Sequence, residues 1–335
     1  MQTDWRPTAS LTTLHKRAAL LAQLRAFFAA RAVLEVDTPA LMPTTATDLY
    51  IDSFCLNPAA ASSEGLESGD QSQLYLQTSP EFPLKRLLAA GSGAIYQLGK
   101  VFRNEQASPQ HSREFTMLEW YRPGFTLEQL MDEVELLVNE VLTYFSPECK
   151  IAPAQIPRLS YRDLFFQHLS IDPHRASDEA ITRAVDAHID LEAANLSRTD
   201  KLQLLLSHCI EPLLPPSCFI TDYPAAQAAL AQVEPDAQGD LVARRFELFV
   251  NGMELANGYY ELTDAQEQRR RFDADNDKRS AQGKETLPID EALLAALEHG
   301  LPDCAGVALG VDRLLMVAIG AERIDQVLSF SPRCV

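Results

Sequence analysis

Residues 244–263, RRFELFVNGMELANGYYELT, constrain the fold of this chain most. Apolar and polar side chains alternate on both sides of Asn251-Gly252, a dipeptide that closes tight antiparallel hairpins. Within this strand pair lie Glu247, Glu254, Asn257 and Glu261. Carboxylates on an otherwise apolar strand pair are costly unless a cation matches them. Two readings follow: an exposed alternating hairpin, or a site for Mg²⁺ together with a cationic ligand.

Two further segments concentrate polar groups. Phe102-Arg103-Asn104-Glu105 precedes a polar loop with His111 and Ser112, and Phe115-Thr-Met-Leu-Glu119-Trp-Tyr121 follows it. Strand spacing puts Arg103 with Glu105 on one face, and Phe115, Glu119 and Tyr121 on another. Such strands are often solvated sheet faces. A guanidinium beside an aromatic ring and carboxylates can equally hold a phosphate and a stacked base. The third segment, Gly306-Val-Ala308-Leu-Gly310-Val-Asp312-Arg313-Leu-Leu-Met, has a glycine and an arginine where a strand meets a helix. That is ordinary turn chemistry, or the wall of a phosphate pocket.

Periodicity predicts a helix over 11–32 with Leu14, Leu21, Leu24 and Phe28 on one face. It also predicts short strands at 33–41 and 74–79, a helix at 82–91, and strands around 95–105 and 113–123. A helix capped by Thr126 and Gln129 follows. Residues 146–215 read as a Pro-rich turn and a largely helical insertion, and 57–73 as a flexible surface loop. Strands at 217–224 and 244–263 precede a charged, solvent-facing helix and a closing strand and helix. The order predicts one α+β domain over 1–335 with a largely antiparallel sheet.

Charge limits the partners. Lys and Arg number 29 against 47 Asp and Glu, a net charge of −18. Binding that rests on phosphates alone needs a basic face, so stable nucleic-acid binding is not expected. No uncharged stretch is long enough to span a bilayer, and no signal peptide is apparent. The six scattered cysteines form no C-x-x-C pair. A reduced, cytoplasmic protein without membrane contact is expected. Walker, dinucleotide, zinc-protease and nucleophile-elbow signatures are absent.

Together, the ordered segments resemble the three motifs of class II aminoacyl-tRNA synthetases, specifically the lysyl-tRNA synthetase catalytic domain. Val36-Asp37-Thr38-Pro39 and its preceding helix look like motif 1, which builds the family's dimer interface. Residues 102–121 look like motif 2, and 306–316 like motif 3. The motif 1 helix begins near residue 11, which implies a class II catalytic domain without an N-terminal OB-fold. That pattern resembles the elongation factor P–lysine ligases, stand-alone paralogues that attach (R)-β-lysine to a lysine of elongation factor P. The alternative is a truncated lysyl-tRNA synthetase-like enzyme that uses tRNA.

The resemblance implies roles residue by residue, with ATP and Mg²⁺ as cofactors, (R)-β-lysine or lysine as substrate, and a homodimer. Arg103 would hold the α-phosphate, and Glu105 and Phe115 the adenine. Asn104, His111 and Ser112 would complete the nucleotide site, and Arg313 would clamp the γ-phosphate. Gly310 would leave space beside the nucleotide, with Leu255 against it. Glu247 and Glu254 match a Mg²⁺-ligating pair. Ser79-Pro80-Glu81, Glu119, Tyr121 and Glu261 match the groups around a lysyl substrate, with Asn257 near its carboxylate. Ala308 stands where the synthetases carry Gly, and Ser112-Arg113 where they carry Asn-Pro. The added methyl of Ala308 would reshape the pocket beside the α-carbon, as expected for an amino group on the β-carbon.

Overall fold

The computed structural model of the protein describes residues 5–57, 73–145, 155–190 and 196–331. The loop expected at 57–73 lies almost wholly outside the described residues, as does the start of the insertion at 146. In chain order the elements are α1 (Leu11–Ala29), β1 (Leu34–Glu35), β2 (Leu41–Met42), β3 (Cys55–Leu56), β4 (Leu74–Leu76), α2 (Glu81–Ala89), β5 (Ile95–Phe102), β6 (Glu114–Pro123) and α3 (Leu127–Phe145). There follow β7 (Arg158–Ser160), α4 (Tyr161–Leu169), α5 (Asp178–His188), α6 (Arg198–Leu205), β8 (Ser217–Pro224), β9 (Val233–Pro235), β10 (Leu241–Val250) and β11 (Met253–Tyr260). The described chain closes with α7 (Ala265–Ala281), α8 (Glu291–Gly300), β12 (Cys304–Gly310) and α9 (Val311–Ile319).

The main sheet runs β1-β5-β6-β12-β11-β10-β8-β7, with β9 beside β10. Its inner strands pair antiparallel, while β1–β5 and β7–β8 pair parallel. The sheet is therefore mixed at its ends and antiparallel where the polar strands lie. One face packs on α1, α3 and α9 through Leu24, Phe28, Trp120, Val134, Leu248 and Leu314. A second core joins α4–α6 to β8, and a third lies among α2, α7 and α8.

Local chemistry explains the boundaries. Asn251 and Gly252 both adopt positive φ, 51° and 71°, the backbone a two-residue primed turn requires. Thr126 and Gln129 exchange side-chain and backbone hydrogen bonds at the start of α3. Other boundaries differ from expectation. Helix α1 ends at Ala29 and buries Leu20, Leu24, Phe27 and Phe28, leaving Leu14 and Leu21 half-buried. Helix α7 is not wholly solvent-facing, because Gln268, Phe272 and Arg279 are buried. Helix α8, which the sequence reading lacked, covers α2 with Leu293, Leu294 and Leu297.

One buried carboxylate ties the motif segments together. Asp312, in the first turn of α9, accepts from the Thr116 backbone N–H of β6 at 2.7 Å and from Arg17 Nη1 of α1 at 2.5 Å. Arg17 Nη2 also donates to Thr116 Oγ1 at 2.7 Å. An anion at a helix N-terminus is further favoured by the helix dipole. Replacing Asp312 with Ala would strand the partly buried Arg17 guanidinium and a buried N–H. Asp312→Ala is expected to lower unfolding stability by about 3 kcal/mol in chemical denaturation. A loss under about 0.5 kcal/mol, the scale of an exposed pair, would show the tie to be slack.

Candidate active site

The antiparallel centre of the sheet turns its other face toward a cavity of about 290 Å³. Sixteen of the residues singled out from the sequence line it: Ser79 and Glu81 from α2 and its approach, Arg103, Glu105, His111 and Ser112 from the β5–β6 connection, Phe115, Glu119 and Tyr121 from β6, Glu254, Leu255, Asn257 and Glu261 from β11 and its end, and Ala308, Gly310 and Arg313 from β12 and α9. Pro80, Asn104 and Glu247 are not in the lining. Pro80 is the N-cap of α2, and exposed Asn104 is anchored by its backbone N–H to the Asp52 carbonyl.

Backbone irregularity assembles this face. The β10–β11 register shifts at Leu248/Phe249: Ala256 lies opposite Leu248, Glu254 opposite Phe249, and Leu255 has no ladder partner. Strict alternation would put Glu254 and Asn257 on opposite faces. The bulge at Leu255 restores them to one side, where both line the cavity. Arg103 and Glu105 do not share a strand face, because β5 ends at Phe102. They lie in the connection, which the Arg103 N–H closes by donating to the Arg113 carbonyl.

One end of the cavity is basic. The Arg103 guanidinium carbon lies 5.2 Å from the Phe115 ring centroid. Arg313 donates to the Glu254 carbonyl at 2.8 Å and to His111 Nε2 at 2.6 Å. With Nε2 accepting, the His111 proton sits on Nδ1, which donates to Ser108 Oγ at 2.7 Å. Burial, then the Arg313 charge, holds the imidazole below its ordinary pKa, so it stays neutral at pH 7. Arg103 Nε and Ser112 Oγ are buried without a hydrogen-bond partner. Such orphans are expensive and mark places where a polar ligand completes the structure. A Cβ at Gly310 would meet only Arg313 and the Leu255 carbonyl, at ordinary contact distances. The protein itself therefore has room there for a side chain.

The other end is acidic. Glu119 accepts from Ser79 Oγ at 2.7 Å and from the Tyr121 hydroxyl at 2.8 Å. Burial and the neighbouring Glu81 charge push its pKa up to about 7. Burial likewise pushes Glu261 up to about 8, against the pull of Lys85. Lys85 is a residue the sequence reading passed over. It is 1% exposed and bonds Glu81 and Glu261, each at 2.6 Å. Gly306 is required by close approach: a Cβ there would lie 2.4 Å from the Tyr121 ring and 2.5 Å from Glu261 Oε1. Ala308 pairs with Glu119 on one side and Asn257 on the other, which puts its methyl between them. Asn257 Oδ1 is another buried orphan.

Glu247 lies outside the cavity lining that holds Glu254. Its carboxylate is ion-paired with Arg245, which lies over the Tyr223 ring. Burial, opposed by Arg245, pushes its pKa up to about 7, with help from the Glu254 charge. Among the described residues, no three side chains form a ready-made metal cluster.

A family model described as tRNA synthetases class II (D, K and N) matches residues 2–333. The elongation factor P–(R)-β-lysine ligase of Edwardsiella ictaluri is 48% identical over 98% of this chain and 97% of its own length. Those of Yersinia enterocolitica and Proteus mirabilis are 47% and 48% identical over the same shares. A chain matched at this identity along nearly its whole length belongs to the class II tRNA synthetase family, in the branch that holds the elongation factor P–(R)-β-lysine ligases.

Proposed function

We propose that this protein is an ATP-dependent ligase that activates (R)-β-lysine as an aminoacyl-adenylate and transfers it to a lysine ε-amine of elongation factor P. The observation that carries this is one cavity with opposite electrostatic ends. Arginines and orphaned donors lie at one end, and Glu81, Glu119 and Glu261 at the other. A substrate with ammonium groups and a carboxylate fits only one way round, with its carboxylate toward the arginines.

At the basic end Arg103 would hold the α-phosphate through the Nε that now lacks a partner, and Phe115 would carry the adenine face, with Glu105 at its amino group. Arg313 and His111, already joined, would meet the outer phosphates. The open space at Gly310 suits a nucleotide. Glu254, with Glu247 behind it, would hold Mg²⁺, which supplies charge neutralisation on the phosphates. Two carboxylates with substrate oxygens suffice, since Mg²⁺ seldom uses an all-protein cage.

The substrate carboxylate oxygen attacks the α-phosphorus, forming the mixed anhydride and expelling pyrophosphate. The acceptor ε-amine then attacks the activated carbonyl carbon. An amide forms, AMP leaves, and the amine loses a proton. Catalysis comes from positioning and charge stabilisation, without a covalent enzyme intermediate. The proposal also takes the whole chain as one catalytic unit in the cytoplasm, paired as a homodimer through the segment around residues 11–39. The net charge of −18 suits a protein acceptor better than a stable complex with tRNA.

Label transfer tests the function. With ATP and Mg²⁺, radiolabelled (R)-β-lysine is expected on elongation factor P in preference to L-lysine, and not on lysine tRNA. Label on tRNA would replace this reading with the truncated synthetase, and no adenylate with either isomer would leave a binding protein. Ala308→Gly is expected to move the preference toward L-lysine by about 10- to 100-fold, the scale of one methyl in a pocket. Arg103→Ala and Arg313→Ala are each expected to lower pyrophosphate exchange by about 100-fold or more. Full exchange in both would place the nucleotide elsewhere.

A further inference from the structure

Behind the acidic end of the cavity lies a cation that touches no solvent and does not line the cavity. Lys85 extends from α2, one turn beyond Glu81, and its ammonium bridges Glu81 and Glu261. A lysine kept only to staple α2 to β11 would need a single carboxylate. Here it takes two, and both line the cavity. The third carboxylate, Glu119, is held by the neutral donors Ser79 and Tyr121.

The charges can be counted. Glu81 on α2, Glu119 on β6 and Glu261 at the end of β11 supply three negative charges, and Lys85 supplies one positive. Tyr121, Tyr259 and the Cys304 thiol face them and are held neutral by pKa values raised by burial; beyond Tyr259 stand Asp48, in the same lining, and Arg245, over the Tyr259 ring and ion-paired with Glu247. The cavity arginines, Arg103 and Arg313, stand at the opposite end. The cluster of Glu81, Glu119, Glu261 and Lys85 is thus short of two positive charges when its carboxylates are ionised.

We propose that Lys85 is a positioning residue that acts as an internal counter-ion, fixing Glu81 and Glu261 and setting the pocket to accept two ammonium groups. This rests on the reading of the acidic end as the amino-acid site. A substrate with two amines cancels the deficit, one with a single amine leaves a buried charge, and removal of Lys85 leaves an excess that no lysine isomer matches. Protons compete for the same carboxylates. Those of Glu119 and Glu261 are pushed up to about 7 and about 8, so substrate affinity should rise as pH rises through that window. Without the Lys85 charge, the window moves higher.

The test is pyrophosphate exchange by the full chain and its Lys85→Met and Lys85→Arg variants, with (R)-β-lysine between pH 6 and 8.5. In the unmodified protein the amino-acid KM should fall across about pH 7–8. In Lys85→Met the fall should begin about one pH unit higher, with KM raised at least tenfold at pH 7 and the KM for ATP unchanged. Lys85→Arg should return the window toward its original place. A Lys85→Met profile in the original window, whatever its kcat or melting point, would overturn the proposal.

Should Lys85→Met not fold, calorimetric titration of the unmodified protein in two buffers of different ionisation enthalpy decides. (R)-β-lysine should displace more protons than its analogue with a hydroxyl in place of the terminal amine; equal displacement overturns the proposal. Absence of any exchange by the unmodified protein would instead sink the functional reading on which it rests.

Discussion

Burial of carboxylates in an apolar sheet is the constraint from which the rest of this structure follows. Glu119 and Glu261 are 2% and 1% exposed, and the Glu247 side chain is 14% exposed. An unpaired charge in such surroundings is either neutralised or matched. The protein matches them with two cations, Lys85 from α2 for the Glu81–Glu261 pair and Arg245, two residues away on β10, for Glu247. Glu119 receives hydroxyl donors alone, which leaves it the group most dependent on an incoming ammonium.

Such a site works only if its walls do not move. Asp312 joins α1, β6 and α9 at a single buried carboxylate, so the strand that carries Glu119 and the helix that carries Arg313 share an anchor. Gly306 supplies the second condition. Its missing Cβ lets the Tyr121 ring and Glu261 approach across β12, closing the acidic end without a void. Preorganisation of this kind lets fixed dipoles and charges act without reorganisation at the moment of reaction.

The sequence revealed what local rules control. Asn251-Gly252 demanded a primed turn and has one, and the Thr126–Gln129 pair caps α3 as its spacing required. Ten of the sixteen cavity residues came from the segments 102–121 and 306–316, and the other six from Ser79-Pro80-Glu81 and the acidic strand pair. What stayed hidden depends on contacts distant along the chain. Nothing in LYLQTSPEFPLKRLLAAG says that Lys85 is buried, since the partner that holds it, Glu261, is supplied by another strand. The bulge at Leu255 has no composition signal either, yet without it Glu254 and Asn257 would face opposite ways. Alternation also misplaced Arg103 and Glu105, because the strand stops one residue before the first of them.

Glu247 shows how the two cations differ in consequence. Lys85 sits behind carboxylates that face the cavity, so a ligand can add its charge without displacing it. Arg245 instead takes the Glu247 carboxylate directly, while Glu254, about two-fifths exposed, stands open to the cavity. A divalent cation arriving at Glu254 would therefore find one exposed carboxylate and a second already engaged. Its remaining ligands would have to come from the substrate's own phosphate oxygens. On these terms Glu254 would hold a metal only alongside a nucleotide's phosphates, and the acidic end would keep its charge for the amino acid.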